Sequence, residues 1–374
     1  MSSISGAHNV AVIPGDLNGR TVTSTVMSMI PALEPLLSKP LSIENYPYSI
    51  EYFEDNDIQE LGAKELEELA QHDAIFLGAV GDPHRKHVKV ETGILLAVRK
   101  AYDQYVNLRP VVLPEGVKSP LAGKDHRYIN FEVCRENTEG LYAKRGRIDM
   151  LGTPRALGVQ EMVCTHEGVT RLVEYACERA LQKEGDPRVH IVHKTNVLNF
   201  AGPVWDQVYE EFKPRNDVEV LYMHVDACVA AMVTQPEQFH VIATGNMFGD
   251  IITDLGAALQ GGMYVAVSGN LNPTGAYPSM FEPVHGTAPD LWYDQHGVKD
   301  DALVQKVKPE AAMLSFAMML EHLSEPIAAA ALKDAALVNL RDPRHKEMGL
   351  DELTIKAYEH ISAAGNGGTS PAGQ

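Results

Sequence analysis

The chain has 374 residues, 45% hydrophobic and 22% charged, with a formal net charge of −18. That length exceeds what one hydrophobic core usually serves, so two lobes are expected, in a composition ordinary for a globular protein. The negative balance argues against a nucleic-acid partner or an anionic membrane surface, but not against a small anionic substrate gripped by local arginines. Cys134, Cys164, Cys177 and Cys228 are scattered with no C-x-x-C pair, which suits free thiols in a reducing compartment. The N-terminal "MSSISGAHNVAVIPGD" lacks the charged and apolar regions of a secretion signal. No apolar run reaches the ~18 residues needed to cross a bilayer. A cytoplasmic protein is expected.

Along the chain, short apolar runs alternate with helical patterns. "NVAVIPGD" reads as a strand running into a loop, and "AIFLGAVGDP" repeats the form. The basic run "PHRKHVKVE" follows, with His84, Arg85, Lys86, His87 and Lys89; it suits a solvated loop, or one closing over an anionic group. Arg99 lies in the helical "LLAVRKAYDQY", Arg109 in "NLRP" and Arg135 in "CRENTEG". Pro110 holds Arg109 extended. Residues 167–184 place Val169, Leu172, Val173, Ala176, Cys177, Ala180 and Leu181 at helical spacing, and Gly185 and Pro187 supply a stop. "VHIVHKTNVL", "VEVLYMHVDA" and "HVIATGN" read as buried strands ending at Lys194 and Asn196, at Asp226 and at Asn246. The tail "AAGNGGTSPAGQ" is expected to fray.

Strands alternating with helices imply an α/β fold with mostly parallel pairing, whose ligands gather at the carboxyl ends of the strands. No G-x-G-x-x-G and no P-loop motif occurs, so an ordinary Rossmann site is unsupported. In "NMFGDIITDL", Asp250 and Asp254 sit four apart and would share one helix face, where like charges repel. A bound cation would relieve that, and Asp226 adds a third oxygen donor of the kind Mg²⁺ or Mn²⁺ prefers. The same spacing also suits a solvated helix face. The three arginines could grip a polyanion or serve separate ion pairs. Lys194, just beyond an apolar strand, could act as a base, and Tyr142 of "ENTEGLY" could supply a proton. The residues by themselves do not choose a reaction.

"VIPGD", "LGAVGDP", "DQYVNLRP", "RENTEGLY", "VHKTNVL", "HVDA", "NMFGDIITDL" and "FEPVHGTAPD" together resemble the metal-dependent β-decarboxylating dehydrogenases of 2-hydroxy acids. They occur in that family's order from about residue 10 to 290. Of the isopropylmalate, isocitrate, homoisocitrate and tartrate/D-malate branches, "KTNVLNFAG" and "YPSMFEPVHG" look most like isopropylmalate and tartrate. The resemblance implies two interleaved α/β lobes with parallel and mixed sheets, not Rossmann: residues 1–105 plus 263–374 for the cofactor, and 106–262 as a middle lobe. It implies a homodimer in which Lys194 and Asp226 reach in from the partner chain. Asp226, Asp250 and Asp254 would hold Mg²⁺ or Mn²⁺. Arg99, Arg109 and Arg135 would hold the malate carboxylates, with Asn196 also at the substrate, and Tyr142 and Lys194 would be the acid/base groups. Glu282, His285, Gly286, Thr287, Ala288 and Asp290 would meet the cofactor. Asp290 would repel a 2′-phosphate, so NAD is expected over NADP.

Leu95 and Leu96, just before Arg99, favour an alkyl substituent such as that of 3-isopropylmalate. An isocitrate reader would resemble Ser and Asn at the Gly93 and Leu95 positions. An anionic substituent (homoisocitrate, isocitrate or a phosphonate analogue) is the rival, should the 84–89 run close over the site, and tartrate or D-malate is a further one. A non-catalytic subunit of this fold would lose metal or acid/base residues, and this chain keeps them. Departures from the family pattern cluster around the cofactor: "GDLNGR" for "GDGIGPE", Gly245 before "NMFGD", a longer 291–310 segment, and Lys308 for an Asn near the adenine.

Overall fold

Near-continuous apolar runs are what strands covered on both faces require, and several of those singled out above are buried along most of their length. In the computed structural model, which describes residues 6–365, the strands are β1 (His8–Ile13), β2 (Leu41–Asn45), β3 (Ala74–Leu77), β4 (Val106–Val112), β5 (Asn130–Glu136) and β6 (Gly146–Asp149), then β7 (Leu157–Gln160), β8 (Arg188–His193), β9 (Glu219–His224), β10 (Val241–Thr244), β11 (Val267–Leu271) and β12 (Ser279–Pro283). The chain divides into two units, Met1–Tyr102 with Pro114–Val117 and Gly262–Gln374, and Asp103–Leu113 with Lys118–Gly261. The part of the C-terminal tail expected to fray, 366–374, lies outside the described residues.

In the first unit the strands run β2-β1-β3-β12-β11, all parallel except the antiparallel β11. Ile13, Ile75 and Leu77 pack with Phe53, Ile94, Val98 and Met280 into its core. The helix Glu310–His322 lies on β11 and β12. Arg99 sits in the short helix Ala97–Ala101, entered through a π-helical turn, Thr92–Leu96, a geometry common beside functional groups.

In the second unit β4 pairs antiparallel with β5, and β5, β10, β8 and β9 continue in parallel. The helix His166–Gln182 begins at Thr165, whose hydroxyl caps the Gly168 N–H at 3.0 Å. Its inner face is the predicted one except at Leu181, which is exposed. A second correction concerns β9, the sheet edge in this unit: only Val220 of it is buried, so "VEVLYMHVDA" is not a fully buried strand. The hairpin β6–β7 was not foreseen; its strands are four residues each, and Ile148 and Leu157 face solvent. No helix among the described residues is long and apolar enough to cross a membrane.

Candidate active site

The carboxyl ends of β8, β9 and β10 deliver Lys194, Asp226 and Asn246. Asn246 opens the helix Asn246–Leu259. The helix presents Asn246, Asp250, Thr253 and Asp254 along one face to β4 and β5. Arg135, only 2% exposed, donates from Nε and Nη2 to Asn246 Oδ1 (3.1 and 2.8 Å) and from Nη1 to Asp250. Asn107 lies opposite Arg135 across the β4–β5 ladder and accepts from Arg109 Nε at 2.8 Å, while Arg109 Nη1 donates to Thr253 Oγ1 at 2.7 Å. The Tyr142 hydroxyl donates to Asp250 Oδ2 at 3.0 Å, with the Arg135 guanidinium 5.4 Å from its ring centroid. Gly249 explains the "FGD" spelling: a Cβ there would come within 2.5 Å of the Arg135 side chain.

The repulsion between Asp250 and Asp254 is met inside the chain. The Arg109 guanidinium reaches both, 3.7 Å from Asp250 and 3.9 Å from Asp254. Burial alone would raise the Asp250 carboxyl, but the charges of Arg135 and Arg109 and the Tyr142 hydrogen bond outweigh it and hold the group below the ordinary carboxylate range. Burial and the Asp250 charge push the Tyr142 phenol up, so it stays protonated and able to donate.

The third predicted acid stands apart. Asp226 accepts from Lys194 Nζ at 2.5 Å, and the two side chains are 67% and 27% exposed. Lys194's hydrogen bond holds the Asp226 carboxyl down. Among the described residues no three His, Cys, Asp or Glu side chains converge as a metal cluster. Asp250 and Asp254 alone still offer two carboxylates on one accessible face, a donor set that fits Mg²⁺ or Mn²⁺, which accept one or two protein carboxylates and complete their shell with substrate and water. Asn196 is exposed near Lys194, and so are Val197 and Phe200, the latter 95% exposed.

The remaining predicted residues belong to the first unit. Arg99 Nη2 donates to Glu282 Oε1 at 3.1 Å, and Asn270 Nδ2 donates to the same oxygen at 2.8 Å. Leu95 packs partly buried against the core, and Leu96 is half-buried. A Cβ on Gly93 would meet the Phe53 ring at 2.5 Å and the Gln59 carbonyl at 2.4 Å, so a serine there would force the backbone aside. In the 285–290 loop Ala288 is left-handed (φ 45°), and its carbonyl accepts from Asn18 Nδ2 at 2.9 Å. His285 Nδ1 lies 3.0 Å from the Gly286 carbonyl, and burial lowers the ring's basicity. Thr287 is buried and Asp290 exposed.

The departures from the family pattern have physical sites too. Leu17 of "GDLNGR" holds a glycine-favouring conformation (φ 45°, ψ −123°) beside Asp16, whose carboxylate accepts from Ile50 N (2.9 Å) and Gly81 N (2.8 Å). Lys308 Nζ donates to the carbonyls of His345 and Met348, 2.8 Å each. In the longer segment, the Tyr293 hydroxyl donates to Asp82 Oδ2 at 2.8 Å. Asn107, Thr253 and Asn18 escaped the sequence reading. Only Thr253 left a signal, its place three residues after Asp250 on one helix face.

Comparisons with known proteins show what the chain is similar to. The isocitrate/isopropylmalate dehydrogenase family matches residues 9–360. A 3-isopropylmalate dehydrogenase of Thermobifida fusca is 43% identical over 346 residues, 92% of this chain and 94% of that protein. One from Clavibacter michiganensis is 44% identical over 338 residues, 89% and 91% of the two chains. The crystal structure of isocitrate dehydrogenase from Methylococcus capsulatus superposes with a TM-score of 0.81 at 27% identity, covering 95% of this chain and 99% of that one.

Proposed function

Because the chain belongs to the isocitrate/isopropylmalate dehydrogenase family, we propose that it oxidatively decarboxylates a 3-substituted malate, 3-isopropylmalate first, with NAD as hydride acceptor and Mg²⁺ or Mn²⁺ as cofactor. The carrying observation is the arrangement of Arg109, Arg135 and Tyr142 around the ionised Asp250. Two preorganised guanidiniums suit the carboxylates of a malate, and the family pattern assigns Arg99 the same task. Lys194 would take the proton of the 2-hydroxyl as hydride leaves C2 for the nicotinamide. The C3–carboxylate bond of the β-keto acid then breaks, CO₂ leaves, and the electron pair stays as an enolate. Tyr142, held protonated, returns a proton to C3. A divalent cation on Asp250 and Asp254, with Asp226 as the third ligand, would supply Lewis-acid stabilisation of the developing negative charge.

The separation of Lys194 and Asp226 from Asp250 and Asp254 supports a homodimer whose sites draw on both copies. Phe200, Ile148, Met150, Leu151 and Ile251, large apolar side chains left exposed in this unit, suit a second copy of the chain. Four free cysteines, three of them buried, suit the cytoplasm. The packed Gly93 and the half-buried leucines after it favour an alkyl group at C3. The Lys308 ammonium is already engaged by two carbonyls, and exposed Asp290 would repel a 2′-phosphate, so NAD is the expected acceptor. NAD and NADP reduction with Mn²⁺ and a panel of 3-isopropylmalate, isocitrate, homoisocitrate, tartrate and a phosphonate-bearing malate tests the reading. The highest kcat/KM should belong to 3-isopropylmalate with NAD. Turnover of the anionic members alone would overturn the alkyl assignment.

A further inference from the structure

A cavity of about 570 Å³ in the first unit is lined on one side by Gly286, Thr287, Ala288 and Pro289 and on the other by the 80–91 segment, including Lys86 and Lys89. The basic run there divides into two sets. Arg85 Nη1 donates to Glu51 at 2.7 Å and Nε to Glu54 at 3.1 Å, and His87 Nε2 lies 3.1 Å from Glu54, so both side chains are engaged by the Ile50–Asp55 helix. Lys86 and Lys89 have no ion-pair or hydrogen-bond partner for their ammonium groups among the described residues and line the cavity instead. Across from them, no acceptor among the described residues takes the backbone N–H of Gly286, Thr287 or Ala288. Two unpaired cations and a run of free N–H donors lining one cavity supply the chemistry of an anion site. The segment carrying the lysines is also braced, because Tyr293 holds Asp82 and Arg85 holds the helix, so the ammonium groups start from a fixed backbone.

Two carboxylates share the lining, Asp82 and Glu91. The Asp82 oxygens already accept from Tyr293 and from the His84 N–H. Glu91 leaves one negative side chain beside the two lysines. A ligand with an anionic diphosphate and a cationic ring matches that mixture better than a purely anionic substituent on malate does. We infer that Lys86 and Lys89 clamp the diphosphate of the nicotinamide dinucleotide against the 286–288 backbone, an assignment that rests on the cofactor reading above.

Binding to the metal-free protein tests it without turnover. NADH is titrated by fluorescence, and ADP-ribose and adenosine by calorimetry, against the wild type, Lys86→Ala/Lys89→Ala and Lys86→Arg/Lys89→Arg. The alanine variant should bind NADH and ADP-ribose on the order of 10-fold more weakly, with a flatter dependence on salt and unchanged adenosine binding. The arginine variant should recover most of the loss, and both should melt with the wild type. Unchanged NADH and ADP-ribose affinity in the alanine variant would overturn the clamp, as would a defect confined to the KM of the malate substrate. A wild type that binds neither NADH nor ADP-ribose would instead overturn the underlying cofactor assignment.

Discussion

Arg135–Asp250 and Lys194–Asp226 are both basic–carboxylate pairs at the carboxyl ends of parallel strands, yet their surroundings differ at every point. The first pair is built around a buried guanidinium with four partner side chains: Asn246, Asp250, the Tyr142 ring and, through Asp250, Arg109. The second has a single mutual contact and is mostly open to solvent. Burial fixes geometry because every polar atom must find a partner, so the first pair is a rigid receptor. The second is an unfinished surface, and its pairing is the sort that water screens to little stabilising effect. On the proposed reading, with Lys194 as the base, that unfinished half is completed by a second copy of the chain.

The largest effect is expected at Asp250. Asp250→Asn keeps the shape and loses the charge that faces two arginines and Tyr142 and, on the proposed reading, a divalent cation. Turnover with 3-isopropylmalate should fall at least about 10³-fold, some 4 kcal/mol of transition-state stabilisation. Mn²⁺ binding followed by calorimetry should weaken with it. Full activity, or activity in excess EDTA, would remove the metal from the account.

The strand that carries Lys194 predicts the next effect. Burial lowers His190 and His193 on β8 to about 4, with the His193 ring stacked on Trp205 at 4.7 Å. Both rings are therefore favoured neutral in the folded protein. Their contribution is complete above pH 6.5, the unperturbed value, and is lost as pH falls from 6.5 towards 4. Each should cost on the order of 3 kcal/mol across that window. His193→Phe keeps the stack and should flatten the acid limb of chemical denaturation curves; an unchanged limb would mean the ring is not held neutral.

Smaller effects separate the two pairs by stability. Arg135→Met should cost about 2 kcal/mol, less than a fully buried pair because solvent reaches Asp250. Asp226→Ala should leave the melting temperature of the separated monomer where it was while abolishing turnover. Equal destabilisation by the two substitutions would erase the contrast between the two pairs.

Much of this was legible beforehand, for reasons particular residues make plain. β3 and β10 announce themselves because strands covered on both faces must be mostly apolar, and β1 and β8 do so through Val10–Ile13 and through Val189, Ile191 and Val192. The helix face of Asp250 and Asp254 follows from 3.6-residue periodicity, and Arg135 and Tyr142 from motif order. What relieves the paired aspartates was not legible, since Arg109 reaches them from a strand more than a hundred residues earlier in the chain. The hairpin β6–β7 was hidden as well, because four-residue strands with outward apolar residues resemble loops. Nor could spacing divide the basic run: Arg85 and His87 turn to Glu51 and Glu54, which belong to a helix thirty residues upstream, and Lys86 and Lys89 do not.

The claim that the exposed pair completes the buried one in a second copy is tested most directly by mixing two inactive proteins. Lys194→Met and Asp250→Asn are each prepared alone, then co-expressed with different tags so that subunits pair at random. Half of the dimers are then hybrids, each with one intact site of its two, and about a quarter of wild-type activity should return. Tandem purification of the hybrid should raise that to about half. If the hybrid is as inactive as its parents, Lys194 and Asp250 serve the same copy, and the division into a finished and an unfinished half is wrong.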